Sequence, residues 1–540
     1  MSLTPRAVLA GSVFGLLLAA GNVYMGLRTG FWEIGIVTAT VLAAALYPAL
    51  RRRVDPVEVT VIQSIATATG AGPAAAGLLG AVPALALLGA PAPAWAVIGF
   101  GIGAGALGVL LAHGLRRRLL EDENLPFPSG IAAAEVLRTA GSTGARPLGL
   151  AAALSAAFTG LRDGPGWIPA TLLAGGRLGT LGLGMALSPM LVGAGALVGV
   201  ANASALALGS ALAWFVITPA LLRAGVLPEL SYVTAASWLL WPGVGLVIGG
   251  AVVSLVADLR AFAAGMADVG ALARGASRSA GTVALTAGAV ILMIGAAHAG
   301  LGLDLGAAVL VALPTVIGTV ACARVAGRTD VSPIGDVGQV LQGSAGALGA
   351  GAVGATGAGA LAASIASQTT ISLWSLRAGA RLRVAPALQL RAQILGVVLG
   401  SVAAVPLYTA FVRAHGLGSA ELPAPTALRW QALAEAVGEG GHLPHGALAL
   451  LGASAILGML LELAGRRRAQ GRLPSPGVVG LGFLVPAHYV GAMVVGALLG
   501  AWAARRGRGR YVEPVAAGAI VGESVVALTV AALMSAAGPR

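Results

Sequence analysis

Arg116-Arg117-Arg118, followed by Leu125-Pro126-Phe127-Pro128, returns later in the chain as Arg466-Arg467-Arg468, followed by Leu473-Pro474-Ser475-Pro476. The arginine triplets are 350 positions apart (466 − 116) and the Leu-Pro pairs 348 (473 − 125). Arginine clusters mark the cytoplasmic ends of membrane spans, and prolines at matching places in two halves mark the broken helices on which many carriers build their sites. A second pair of strings agrees: Arg51-x-Arg53-Val54-x-Pro56 with Gln63 matches Arg381-x-Arg383-Val384-x-Pro386 with Gln393, each offset by 330 (381 − 51). Both copies sit on the same side of the membrane when all arginine clusters are placed inside, so the repeat is read as parallel, about an axis along the membrane normal.

The composition allows little else. Hydrophobic residues make up 57% of the 540, charged residues only 10%, and mean hydropathy is +0.89. That is more apolar surface than a soluble core buries, so the chain is expected to be an all-α polytopic membrane protein in the lipid bilayer. No stretch shows the ten-residue alternation of a membrane barrel. The 82 glycines suit helices that pack closely through small side chains. A net charge of +13 could suggest nucleic acid, but the arginines flank apolar spans instead of forming a basic domain with interleaved aromatics, so no nucleic-acid partner is expected. The only cysteine, Cys322, cannot form an internal disulfide.

Charge punctuation places apolar spans near 6–27, 31–50, 57–80, 94–115, 147–173, 181–201, 203–223 and 235–257. Others follow near 281–301, 304–324, 336–360, 361–377, 385–412, 446–464, 478–503 and 513–536, which predicts about 14 to 16 crossings. Segments 127–140 and 473–487 are too short to cross and read as broken or re-entrant pieces. The organisation expected is a first repeat (1–140), a connecting bundle (141–330), a second repeat (331–510) and a terminal helix (511–540). With the arginines inside, the N-terminus is cytoplasmic and the protein multi-pass in the cell inner membrane.

Several spaced strings together resemble the oligopeptide transporter superfamily, prokaryotic branch. They are Gly21-Asn22-Val23-Tyr24-Met25-Gly26-Leu27-Arg28, Leu125-Pro126-Phe127-Pro128-Ser129-Gly130 with Glu135, Arg328-Thr329-Asp330-Val331-Ser332-Pro333, Leu473-Pro474-Ser475-Pro476 and Gly522-Glu523-Ser524. The resemblance runs from end to end and implies a secondary active importer, driven by protons and carrying small peptides or metal chelates. The chain departs at Ser372-Leu373-Trp374-Ser375-Leu376-Arg377, where relatives often carry an acidic, lysine-containing stretch.

Two acids are candidates for proton coupling. Glu523 interrupts an apolar span, and an intramembrane acid is a functional candidate by default; the competing reading is pairing across helices for packing alone. Glu135 follows the Pro-broken segment and could face the same space as Ser129 at its helix start, or be a solvated interfacial charge. Asp163, in Arg162-Asp163-Gly164-Pro165-Gly166, marks either a discontinuous helix or a loop. Substrate-binding candidates are Asn22, Tyr24 and Arg28, whose guanidinium fork suits a carboxylate. Gln63, Arg391 and Gln393 join them from the repeat, with Ser129 and His488 from the broken segments; the amides could equally be interhelical glue.

Spacing gives no metal-binding set and no cofactor motif: His442-x-x-His445 lies in a polar loop, and Gly343 to Gly359 lacks the Gly-Lys-Ser/Thr ending of a phosphate loop. The leading function is proton-coupled symport of small oligopeptides or peptide-like solutes, with import of metal chelates as the alternative. An intramembrane enzyme or ion pump would need more acidic clusters than Glu121-Asp122-Glu123, so no enzyme is expected. Close helix packing through small residues is also compatible with a homo-oligomer.

Overall fold

The computed structural model describes residues 3–536 apart from 33–34, 50–53, 140–144, 177–178, 180–181, 228–231, 258–279, 330–331, 333, 420, 438–445 and 469–472. Arg51 to Arg53, the arginines of the 260–278 loop and His442 and His445 therefore lie outside the described residues. In chain order the main helices are α1 Pro5–Thr29, α2 Ile36–Ala49, α3 Pro56–Gly70, α4 Ala81–Leu87, α5 Ala94–Arg116, α6 Pro128–Thr139 and α7 Ala145–Asp163. A two-stranded hairpin, β1 Thr171–Leu173 and β2 Gly184–Ala186, precedes α8 Pro189–Ala211, α9 Tyr232–Ala257, α10 Ala280–Leu301 and α11 Leu305–Thr329. Then come α12 Ile334–Ala347, α13 Ala352–Arg381, α14 Pro386–His415, α15 Pro425–Val437, α16 Ala447–Arg468, α17 Pro476–Leu484, α18 Ala487–Arg505 and α19 Val512–Ala536. The protein is an all-α polytopic membrane protein, the short hairpin excepted.

Among the described residues nine helical stretches are long and apolar enough to cross a bilayer, Pro5–Thr29, Ala94–Asp122 and Pro386–His415 among them. Other apolar stretches are divided. Within the span expected at 57–80, α3 ends at Gly70 and a single helical turn, Gly72–Ala75, follows before α4, because Pro73 cannot donate to a continuing helical ladder. The carbonyl of Gly70 at the end of α3 accepts from Asn22 Nδ2 at 2.9 Å, so the helix terminus inside the protein is satisfied by a side chain. The spans expected at 147–173 and 181–201 differ too: α7 stops at Asp163, and the hairpin occupies the interval before α8. From Pro189 to Arg223 the chain is one helical run broken at Gly199, whose φ of 79° is a conformation other residues rarely adopt. The break expected near 360 lies instead between α12 and α13, at residues 348–351. The short pieces 127–140 and 473–487 correspond to α6, and to α17 joined to α18 through Val485-Pro486.

The two helices equated by the 330-residue offset, α3 and α14, lie side by side and run in the same direction. Gln389 Nε2, in the first turn of α14, donates to Ser64 Oγ in the middle of α3 at 3.3 Å. Farther along, the Gly72 backbone presses on Gly400 so closely that a Cβ on Gly72 would sit 2.3 Å from the Gly400 carbonyl carbon. Close approach through paired glycines brings the backbones of two apolar helices together where side chains would hold them apart.

Charge closes the opposite end of α5. Arg324 of α11 gives Nη1 and Nη2 to the two Glu123 oxygens at 2.7 Å each, a bidentate fork, and Arg118 Nε reaches Oε1 at 3.4 Å. Partial burial of Glu123 opposes ionisation, but the two guanidinium groups outweigh it and hold its carboxyl below the usual carboxylate range. A carboxyl whose folded pKa is lowered contributes fully above its unfolded value, about 4.3, and loses that contribution as pH falls through the lowered folded value. Glu123→Gln should therefore lower the melting temperature of detergent-purified protein at pH 7 and flatten its decline below about pH 4.3; an unchanged acid limb in melts across pH 3–7 would remove Glu123 from that balance.

Candidate functional site

Glu523 lies near the middle of α19 with no exposed surface. A buried carboxylate is tolerable only when its lone pairs are met. Ser188, the N-cap of α8, points its hydroxyl at both Glu523 oxygens at 2.9 Å. Met190 N–H donates to Oε2 at 2.9 Å, so the carboxylate caps the positive end of α8. Pro189, at the first helical position, has no N–H to leave over. From α7, Arg162 supplies Nη1 and Nη2 to Oε1 at 3.3 and 3.2 Å. Arg162 is itself buried and pairs with Asp163 through Nε–Oδ1 at 2.6 Å and Nη2–Oδ2 at 2.9 Å, while Nη1 also meets the Leu187 carbonyl at 2.7 Å.

Arg28, at the far end of α1, completes the cluster with Nη1 3.6 Å from Glu523 Oε1. Its guanidinium donates to Tyr24 OH at 2.8 Å and to Tyr489 OH at 3.1 and 2.5 Å, and lies over both rings, 5.0 and 4.6 Å from their centroids. Such cation–π contacts strengthen when water is excluded. Tyr489 OH passes a hydrogen bond on to the Glu421 carbonyl at 3.1 Å, and Tyr24 stacks on Phe411 at 4.9 Å. Two arginines thus face two acids, Glu523 and Asp163, and the formal charge of the group is zero.

The other expected residues divide clearly. Asn22, two residues from Tyr24, points away to the Gly70 carbonyl. Gln63 and Gln393 are both buried but join different contacts: Gln63 bonds Thr67 Oγ1 at 3.0 Å and Ser375 Oγ at 3.2 Å, whereas Gln393 meets His113 Nε2 at 3.1 Å and the Ser372 carbonyl at 3.3 Å. Arg391 is exposed, since two residues from Gln393 places it on another side of α14. Glu135 is exposed on α6. His488 bonds the Gly182 carbonyl at 3.1 Å and sits edge-on to Tyr489 at 4.6 Å. Ser129 lines a cavity of about 450 Å³ with Met25, Trp32, Leu197 and Glu513. Sequence reasoning passed over Tyr489, Ser188 and the contact of Arg162 with Glu523, although Arg162 and its neighbour Asp163 were visible as a charged pair interrupting an apolar run.

The family model described as OPT oligopeptide transporter protein matches residues 2–534. The chain belongs to that family. It is 28% identical over 160 residues to an oligopeptide transporter, so named, of Saccharomyces cerevisiae, a match covering 26% of this chain and 22% of that protein. To a Haemophilus influenzae protein of the same description it is 37% identical over 123 residues, covering 21% of this chain and 19% of the other. The matched stretches thus span about a fifth of the length of these curated relatives.

For this member of the OPT oligopeptide transporter family, the neutral cluster binds α1, α7, α8, α18 and α19 together. Phe31 and Trp32, just beyond Arg28, line both the Ser129 cavity and another of about 450 Å³ against α13 and α15. Glu523→Gln leaves two guanidinium groups facing one acid and should cost about 3–5 kcal/mol, the typical effect of removing one partner of a buried pair. Adding Arg28→Gln restores neutrality and should recover part of that loss in denaturant melts; additive losses would show that charge balance does not hold the cluster.

Proposed function

We propose that the chain is a proton-coupled symporter that carries small oligopeptides or peptide-like solutes across the cytoplasmic membrane, with its N-terminus in the cytoplasm. The family supports a peptide solute. The observation that carries the coupling is the seat of Glu523: a fully enclosed acid whose oxygens are occupied by Ser188, Met190 N–H and Arg162, with Arg28 alongside. In that arrangement no lone pair is left for a proton. Glu523 takes one up only when the arginines and the start of α8 draw away, which ties protonation to a rearrangement of α1, α7 and α8 against α19. Reformation of the pairs expels the proton, and alternation between the two arrangements exposes the solute to each side in turn. Glu135, exposed on α6, is the second acid able to serve this exchange.

The exchange is tested by uptake into proteoliposomes of a labelled small-peptide pool and a labelled ferric-chelate pool, with and without an inward proton gradient. Gradient-dependent peptide uptake is expected, with dependence on the gradient abolished in Glu523→Gln and reduced less in Glu135→Gln. Uptake indifferent to the gradient would remove proton coupling, and uptake of the chelate alone would move the assignment to metal acquisition.

A further inference from the structure

We propose that the cavity between α13 and α15 is the solute site, and that a row of hydrogen-bond donors on α13 holds acceptor oxygens set along a short, partly apolar chain. This rests on the transport reading above and adds to it a place, a chemical class and the residues that recognise it. The space measures about 450 Å³, within the range of small-molecule sites. Ser364, Ser367 and Trp374 line it from α13, and Thr426 and Trp430 from α15.

Ser364 Oγ, Ser367 Oγ and Trp374 Nε1 have no hydrogen-bond partner, although their residues are only 1%, 2% and 2% exposed. A hydroxyl inside a helix can bond back to the carbonyl one turn earlier, and two neighbours do so: Thr369 to Ile365 and Thr370 to Ala366, at 2.8 Å each. The two serines make no such bond and sit beside a space large enough for a ligand. Buried polar groups are normally satisfied, so these three mark where a bound molecule completes the structure.

Their chemistry and spacing define that molecule. An indole N–H donates and cannot accept, so Trp374 requires an acceptor, and the serine hydroxyls can turn to donate in the same way. Thr426 lies in the first turn of α15, where the leading N–H groups have no partner within the helix, which adds to the donor character of the wall. Ser364, Ser367 and Trp374 share one side of α13, and the outer two are ten residues apart (374 − 364), or about 15 Å along the axis. An extended chain advances about 3.3 Å per residue, so about four residues cover that length. A peptide backbone carries a carbonyl at every residue, alternate ones facing the same way, and the rings of Trp374 and Trp430 offer apolar faces to its side chains. A linear metal chelate with repeated carbonyl-type oxygens presents the same chemistry, and both are tested.

Stability separates a binding role from a structural one. An unpaired buried hydroxyl opposes folding, and alanine is the better helix former, so replacing both serines by alanine should preserve or raise the melting temperature of solute-free protein. Binding is measured by titration calorimetry on full-length protein in detergent. The probes are N-acetyl-Ala-Phe-Ala-amide, its analogue with thioamides at the two internal peptide bonds, and ferrioxamine B as a linear trihydroxamate chelate. Sulfur is the weaker acceptor, so the thioamide should bind at least fivefold more weakly than the amide. Ser364→Ala combined with Ser367→Ala should weaken the amide at least tenfold, and Trp374→Phe, which keeps a ring but removes the donor, severalfold. Equal binding of amide and thioamide, no binding by peptide or chelate, or affinity unchanged in both variants would overturn the site; the last is the result for a cavity that holds water alone. A double serine variant that melts lower or fails to fold refutes the premise that its hydroxyls are spare, and overturns the site as well. Tight binding of ferrioxamine B alone, weakened in the serine variant, keeps the site and assigns the oxygens to a chelate. Binding as expected without proton-driven uptake would keep the site and remove symport, whereas proton-driven peptide uptake untouched by the double serine variant would keep symport and remove the site.

Discussion

Glu523 must be neutralised where water cannot reach it, and much of the architecture answers that requirement. Its partners come from the N-cap of α8, the last turn of α7 and the end of α1, so one carboxylate fixes the relative placement of helices remote in sequence. Arg162 is the hinge of this arrangement, because it serves Glu523, Asp163 and the Leu187 carbonyl together. The termination of α7 at Asp163 and the start of α8 after Ser188 are thereby two sides of one electrostatic solution. Buried ion pairs are poor sources of net stability but severe constraints on arrangement, since any displacement leaves a charge exposed to low dielectric.

Around that cluster the interior holds many buried polar side chains, Asn22, Gln63, Ser64, Gln389 and Gln393 among them. Helices that stop within the protein leave carbonyls and amides to be met, and side chains such as Asn22 do so. Between α3, α13 and α14, Gln63, Ser64, Ser375 and Gln389 form a continuous buried hydrogen-bond system. The open hydroxyls of Ser364 and Ser367 lie farther along the same α13 helix. One helix thus carries both a closed polar network and an open polar face.

The helical membrane class was legible because hydrophobicity accumulates over whole segments, and Glu523 because one acid stands alone in an apolar run. Its partners were not legible, because Arg162 is 361 residues away and nothing in local spacing encodes that contact. The helices that carry the repeated string, α3 and α14, lie side by side, but matching positions do not make matching bonds: Gln63 faces Ser375 while Gln393 faces His113. Helix phase decided other cases. Gln389 and Gln393, one turn apart, are both buried while Arg391 between them is exposed. Where spans were placed too simply, as at 57–80 and 147–173, a proline or a charged helix end had ended the helix inside an apolar stretch.

The long separation within the Glu523 cluster has a consequence for biosynthesis. At ordinary translation rates the interval between synthesis of Arg162 and of Glu523 is on the order of tens of seconds, and that for Arg28 is longer. During that time two guanidinium groups lack their buried acceptor, and an arginine without one draws water and lipid headgroups into the bilayer or stays near its surface. Final docking of α1 and α7 therefore waits for α19. A nascent chain halted before residue 523 would display unmet positive charge within the membrane, so the contact that seals the finished protein also distinguishes it from an incomplete one available to cellular proteolysis.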